Sequence, residues 1–288
     1  MPDQVDDEPL DVSVVIPAYN RESIIGRAVL SALTQQPRRA AEVIVVDDGS
    51  TDGTADVAER LGARVIRQEN KGEGGARNTG VEAATSTWLA FLDSDDEWLP
   101  QHLAVLQRHL DGKVLVGSAA RCVPSGRLAG IAGQPRPLTP ASIMWPQSPL
   151  VPSATMVRRD IALEVGGFRS LPTAADLDFF IRVLERGEGV VLPDVTAIYF
   201  EHGTQISVDN DGLKRGRTQV LRDYADRPWF PAGVLDDVDV SDRWDEFRRA
   251  QRAHEWGKAA ADVGGLMRPR AVAALVAVWR FRYDARRR

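Results

Sequence analysis

The sequence has 288 residues, 43% of them hydrophobic and 27% charged, a balance that excludes wholesale disorder and fibrous architecture. Its 36 basic and 41 acidic side chains leave a net charge of −5, without the basic excess that neutralises phosphates, so no nucleic-acid partner is expected. The single cysteine, Cys122, excludes an internal disulfide and a cysteine-built zinc site, and points to a reducing, cytoplasmic setting.

In chain order, residues 1–10 are an acidic tail, the reverse of a secretory n-region. Val12–Pro17 is short, apolar and β-branched, as a buried parallel strand should be. From Arg21 to Gln36 the apolar residues Ile24, Ile25, Ala28, Val29, Ala32 and Leu33 fall at helical spacing, and Pro37 closes the helix. Val43–Val46 predicts a second strand, Thr54–Leu61 a helix and Val65–Ile66 a third strand. A glycine-rich loop and a helix near Ala76–Ala84 follow, then a fourth strand, Trp88–Leu92. Such alternation predicts an α/β fold with a doubly wound parallel sheet, whose ligands bind beyond the carboxyl ends of the strands. Further on, Leu115–Cys122, Ala154–Arg158 and Val190–Phe200 have strand character, residues 135–152 form a proline-rich connection, and Leu177–Arg186 is an amphipathic helix. Beyond about residue 205 arginine-rich helical patterns take over.

Three strands end in polar or acidic residues: Ala18-Tyr19-Asn20, Asp47-Asp48 and Asp93-Ser94-Asp95-Asp96. Each alone is ordinary turn chemistry. Together at one sheet edge they repel one another unless a cation lies among them, and oxygen ligands without a His/Cys cluster favour Mg2+ or Mn2+ over zinc. The segment Gly72–Arg77 lacks the third glycine of a dinucleotide fingerprint and follows the wrong strand for one. It reads either as a flexible connector or, with Lys71 and Arg77 bracketing it and Asn78 after, as a seat for an anionic ligand at a helix start.

Four blocks, VSVVIPAYN, VIVVDDGSTDGT, QENKGEGGARNTG and WLAFLDSDDEWLP, lie in that order within residues 12–110. They resemble the signature blocks of family-2 glycosyltransferases of the GT-A fold, and a weaker resemblance continues to about residue 205. The resemblance implies a GT-A domain over 11–205, with a nucleotide-sugar half at 11–110 and an acceptor half at 111–205. Its sheet would be doubly wound, mostly parallel and flanked by helices, and residues 206–288 would be a mainly helical extension with a basic tail. The implied activity is inverting, metal-dependent transfer from a nucleotide-diphosphate sugar, with UDP favoured. The acceptor would be a glycan, a lipid-linked sugar, a peptide or a small molecule.

The resemblance also assigns roles to individual positions. Pro17, Ala18 and Tyr19 would line the base and Asp48 would hydrogen-bond it, with Asp47 orienting the loop. Lys71 and Arg77 would face the nucleotide, Arg77 with the alternative of pointing into its helix. Asp93-Ser94-Asp95 resembles the DxD motif, with Asp95 on the metal and Asp93 near the ribose or a metal-bound water; Asp96 leaves that register open by one residue. Gly166-Gly167-Phe168 precedes Asp176, which takes the position of the catalytic base. The neighbouring Ala175 departs from the family's usual Glu, and Asp178 is the fallback. His202 corresponds to a metal or phosphate contact in some GT-A enzymes, its alternative being a structural or solvated histidine.

Two other functions compete. A sugar-phosphate nucleotidyltransferase would need a glycine-arginine signature after the first strand, where PAYNRE stands. A non-catalytic nucleotide-sugar-binding module has only Ala175 to suggest it. At the far end, residues 266–288 hold seven arginines against the one acid Asp284, interleaved with apolar and aromatic residues. That stretch reads either as a helix packed on the domain or as a peripheral contact with the inner face of a membrane. Its apolar run, Ala271–Trp279, is half the ~18–20 residues that span a bilayer.

Overall fold

The computed structural model describes residues 8–144, 148–201, 210–236 and 238–239. The chain begins with strand β1 (Leu10–Ala18), helix α1 (Ile25–Leu33), β2 (Ala40–Asp47), α2 (Thr54–Leu61), β3 (Arg64–Arg67), α3 (Gly72–Ala83) and β4 (Trp88–Phe91). It continues through β5 (Glu97–Trp98), α4 (His102–Leu106), β6 (Leu115–Val123), β7 (Leu128–Ala129), β8 (Arg136–Leu138), β9 (Thr155–Arg158) and α5 (Arg159–Glu164). The last described elements are α6 (Ala175–Leu184), β10 (Gly189–Phe200) and α7 (Asn210–Asp223).

The strands form one sheet in the order β3-β2-β1-β4-β9-β6-β10-β5, with β7 on β6 and β8 on β10. Strands β3, β2, β1 and β4 are mutually parallel, as the alternation predicts. The regular pattern stops there, because β9 runs antiparallel to both β4 and β6 while β10 is parallel to β6. Two reversals restore the original direction, so the C-terminal ends of β1, β2, β4, β6 and β10 share one edge and β9 begins at it.

Alternate side chains feed two cores, as the two-residue period of a strand requires. Val12, Val14, Ile16, Val43, Val45 and Ala90 pack with Ile25, Val29 and Ala32 of α1 and with Leu103 and Leu106 of α4. Val15, Ile44, Val46, Leu89 and Phe91 pack on the opposite face with α3, α5, α6 and α7. Each fully buried Val, Ile, Leu or Phe contributes about 1.5–3 kcal/mol. Helix α3 lies so close to β1 that a Cβ on Gly80 would come 2.3 Å from Val15 Cγ1.

Three local expectations need correction. The glycine-rich segment is not a loop: α3 starts at Gly72. Its start is set by the Lys71 N–H, which donates to Asp48 Oδ1 at 2.8 Å. Helix α1 starts four residues after Arg21, because Arg21 and Glu22 are used to join loops. The Arg21 N–H donates to Thr54 Oγ1 (2.7 Å) and the Glu22 N–H to Asp52 Oδ2 (3.1 Å). The proline-rich connection contains strand β8, paired with the start of β10.

A polar group lies inside the α4 side of the core. His102 is fully buried, stacks on Trp98 with ring centroids 4.1 Å apart, and pairs through Nδ1 with Thr196 Oγ1 at 2.8 Å. Burial lowers its pKa to about 3, so it is neutral at pH 7. Among the described residues no helix is long and apolar enough to cross a membrane.

Candidate active site

The shared strand edge is built by loops that hold one another. Asn20, in the left-handed region at φ 52°, receives the Thr51 N–H on Oδ1 (2.8 Å) and donates its own N–H to Ser50 Oγ (2.9 Å). The Ser-Thr-Asp of the DDGSTDG block therefore locks the loop after β2 to the loop after β1. Pro17 and Ala18 are buried at the end of β1, and Tyr19 beyond them is 47% exposed at the edge.

The two acids after β2 act on backbone and loop. Asp47 Oδ1 accepts the Ser50 N–H at 3.2 Å. Asp48 is buried, and its Oδ1 accepts from Gln68 Nε2 (2.6 Å) and from the Lys71 N–H (2.8 Å). That second bond fixes the residue from which α3 starts, while the Lys71 side chain is exposed.

Arg77, in the middle of α3, does not face solvent; its side chain is 5% exposed. Its Nη2 holds Asp93 Oδ1 at 2.6 Å and also pairs with Glu73 one helical turn earlier. Burial alone would weaken its charge, but Asp93, Glu73 and Asp176 outweigh that and raise its pKa. The arginine is thus a fixed cation holding two carboxylates, from the turn after β4 and from α3, and feeling the charge of Asp176 on α6.

The turn after β4 separates the acids of the DSDD block. Asp93 and Asp95 are half-buried, whereas Asp96 is fully buried. Asp96 Oδ2 accepts from Ser153 Oγ (2.5 Å), and its Oδ1 accepts the Phe200 N–H (3.1 Å). Ser153 Oγ in turn receives the Asp93 N–H (3.1 Å). Asp96 therefore ties the turn to the start of β9 and the end of β10. Burial and the nearby charges of Asp93 and Asp95 push its carboxyl well above the usual range. Arg27 supports the turn from outside, donating from Nη2 to the Asp95 carbonyl (2.6 Å) and covering the Phe200 ring at 3.6 Å.

A second network positions the start of α6. Asn78 clasps the backbone of Phe168 from both sides, Nδ2 donating to its carbonyl (2.8 Å) and Oδ1 accepting its N–H (2.7 Å). Gly167 stands at φ 65°, and a Cβ there would meet Asn78 Oδ1 at 2.3 Å, so the clasp needs glycine. Phe168 stacks on Phe179 of α6 with centroids 4.1 Å apart. Ala174, just before the helix, is left-handed at φ 60°, a strained state for alanine.

Asp176 and Asp178 differ sharply. Asp176 is half-buried in the first turn of α6, and its charge acts on Glu73 and Arg77. Asp178 is 1% exposed. Its Oδ2 takes Arg182 Nε (2.9 Å) and Nη2 (2.7 Å), and its Oδ1 takes Tyr224 Oη (2.8 Å) and Arg169 Nη1 (3.3 Å). Arg182 also donates to the carbonyls of Val165 (2.6 Å) and Gly167 (2.7 Å). Asp178 is thus the centre of a structural network holding α6 to the Gly-Gly-Phe segment and to α7.

Of the sequence-derived candidates, Arg77 and Asp93 are in direct contact, Asp176 acts on Arg77 electrostatically, and Asp48 meets Lys71 through its backbone. His202 and the basic stretch 266–288 lie outside the described residues. Glu73, Ser153 and Arg27 were not among the candidates, and Asn78 was expected beside an anion seat rather than as the clasp on Phe168. Glu73 could have been found from its i,i+4 spacing to Arg77 had the segment been read as helix. The other three make contacts between distant segments that no local pattern encodes.

Comparison with known proteins adds the family. A family model described as Glycosyl transferase family 2 matches residues 13–166. The chain spans about a third of the length of the curated relatives it matches. One relative is the Escherichia coli UDP-Glc:alpha-D-GlcNAc-diphosphoundecaprenol beta-1,3-glucosyltransferase WfaP, 42% identical over 92 residues, which cover 31% of this chain and 36% of that protein. Among solved structures, S. aureus TarS 1–349 in complex with UDP-GlcNAc has a TM-score of 0.64 at 20% identity, over 92% of this chain and 84% of that one. The mannosyltransferase PcManGT from Pyrobaculum calidifontis, in complex with GDP-Man and Mn2+, has a TM-score of 0.62 at 20% identity, over 96% of this chain and 83% of that one. The fold is that of these transferases.

Proposed function

The chain belongs to glycosyl transferase family 2, and from that membership we propose that it moves a sugar from a UDP-sugar to an acceptor nucleophile with inversion, using Mn2+ or Mg2+. The observation that carries the reading is the buried Arg77 at the C-terminal edge of the sheet, which holds Asp93 and Glu73 together and feels the charge of Asp176. In open α/β sheets that edge is where ligands bind.

In this reading Pro17, Ala18 and the exposed ring of Tyr19 receive the base. The Asp48 carboxylate accepts the ring N–H of uracil, and Lys71 faces the phosphates. Asp93 approaches the ribose. The metal fits Asp95, which offers only carboxylate oxygens, since magnesium-like ions bind through one or two carboxylates plus substrate phosphates. Among the described residues no group of three or more His, Cys, Asp or Glu could hold a metal by itself, so phosphate oxygens would complete the shell. When bound at Asp95, the ion supplies positive charge for the departing diphosphate.

Asp176 is the general base. It takes the proton of the acceptor hydroxyl as the acceptor oxygen bonds to the anomeric carbon and the bond from that carbon to the diphosphate oxygen breaks. UDP leaves with the electron pair. A base for this step has to come within ~3 Å of the acceptor proton, and the Asn78–Phe168 clasp and the Asp178–Arg182 pair hold α6 for that purpose. The UDP-Glc donor and diphosphoundecaprenol-linked acceptor named for WfaP support a UDP-sugar and a lipid-linked acceptor. The basic stretch 266–288 would then keep the enzyme at an anionic membrane surface.

Calorimetric titration with UDP, GDP and ADP, each with and without Mn2+, tests the donor assignment. Metal-enhanced binding of UDP over the other two is the expected result; equal binding of all three without metal dependence would contradict it.

A further inference from the structure

The donor and base assignments proposed above confine the transferred sugar. It has to lie between the diphosphate, at the Asp93–Asp95 turn, and the acceptor nucleophile, at Asp176, because the forming and breaking bonds share one carbon. Glu73 belongs to that interval. It projects from the first turn of α3, and its carboxylate pairs with Arg77 Nη2, the same nitrogen that holds Asp93 Oδ1 at 2.6 Å. The charges of Asp93 and Asp176 both act on it; Arg77 pulls its carboxyl down, but partial burial and those two acids outweigh the arginine and raise it.

The exposures order the three groups in depth. The Arg77 side chain is 5% exposed, that of Asp93 21% and that of Glu73 44%. A buried guanidinium therefore supports two carboxylates, of which Glu73 is the more exposed to a ligand. An ionised carboxylate only accepts hydrogen bonds, so the matching ligand surface is a set of hydroxyl donors. Glu73, Asp93 and Asp176 against one arginine also leave an excess of negative charge. The charge of a divalent metal would be taken up by the diphosphate, so a sugar bearing its own carboxylate would still meet like charge here.

We infer that Glu73 is a specificity-determining residue for the transferred sugar, accepting a hydrogen bond from a ring hydroxyl of a neutral hexose and disfavouring a hexuronate. Of the two acids of α3, Glu73 and Glu82, it is Glu73 that shares Arg77 with Asp93.

The test is calorimetric titration, with Mn2+ present, of the wild-type chain and of Glu73→Gln with UDP, UDP-glucose, UDP-galactose, UDP-N-acetylglucosamine and UDP-glucuronate. The wild type is expected to bind at least one neutral donor about 10-fold more tightly than UDP-glucuronate. Glu73→Gln should weaken that neutral donor about 10-fold, the loss of one charge-assisted hydrogen bond. It should also bring UDP-glucuronate within about threefold of it and leave UDP affinity within about twofold. Glu73→Ala, at a half-exposed position, gives the same readout if the glutamine variant fails to fold. Unchanged donor ratios in either variant with UDP still bound, or a wild-type preference for UDP-glucuronate, would overturn the role of Glu73 alone. A wild type that binds none of the uridine nucleotides would overturn the donor assignment on which it rests.

Discussion

Asparagine at position 176 and asparagine at position 178 should give opposite phenotypes, although the two residues share one helical turn. Asp178 is 1% exposed and its partner Arg182 7%. Removing the Asp178 charge leaves a buried guanidinium without its counter-ion, and breaking such a pair costs about 3–5 kcal/mol. At roughly 2–4 °C per kcal/mol for a chain of this size, Asp178→Asn should lower the melting temperature by on the order of 10 °C. Asp176 is half-buried beside an excess of negative charge. Asp176→Asn should therefore melt within about 2 °C of wild type, a surface-like change, while its turnover falls by about 10²–10⁴-fold. Thermal unfolding by circular dichroism and initial rates of UDP release, on both variants in one buffer, separate the two effects. A stable but inactive Asp178→Asn beside an active Asp176→Asn would refute the assignment and make Asp178 the base.

Asp95→Ala should lose Mn2+-dependent turnover and Mn2+-enhanced UDP binding with its melting temperature nearly unchanged; calorimetry with and without the metal checks this. Gly80→Ala should cost about 1–3 kcal/mol by overpacking, because the new methyl would sit 2.3 Å from Val15 Cγ1, and urea titration measures it. His102 should make the fold acid-sensitive. Its folded pKa of about 3 lies below the unfolded value, so the unfolded chain binds the extra proton and stability falls as pH drops from about 6.5 towards 3. His102→Asn should flatten the slope of melting temperature against pH in that window. The full chain should co-sediment with anionic vesicles at low salt and be released at high salt, and truncation after Gly265 should abolish the binding; equal binding by the truncated chain would remove the membrane reading.

The order of strands and helices through β4 was legible because a parallel sheet buried on both faces imposes short apolar runs, and amphipathic helices impose a 3.6-residue period. What was not legible came from contacts between distant segments. The start of α1 depends on Thr54 and Asp52 taking the backbone of Arg21 and Glu22. Local propensity cannot report such a loan. The glycine-rich segment reads as loop by composition, yet it forms the first turns of α3, whose start is fixed by the Lys71 N–H bond to Asp48. The reversal at β9 follows no local signal either.

Within the candidate site, the sequence presented five acids, Asp93, Asp95, Asp96, Asp176 and Asp178, with little to rank them. Burial separates them: Asp96 and Asp178 are sealed by hydrogen bonds, while the other three stay partly open to the crevice. Arg77 was legible as a cation near a helix start but not as the buried support of Asp93, which depends on how α3 packs against β1.

The most direct measurement is UDP release from a panel of UDP-sugars by the full chain, with Mn2+ present and absent, alongside Asp95→Ala and Asp176→Asn. Metal-dependent release from at least one UDP-sugar, lost in both variants, is the result predicted for an inverting, metal-dependent transferase. No release from any nucleotide sugar in the presence of a lipid-linked, glycan or small-molecule acceptor, or release that persists without metal and in both variants, would contradict it.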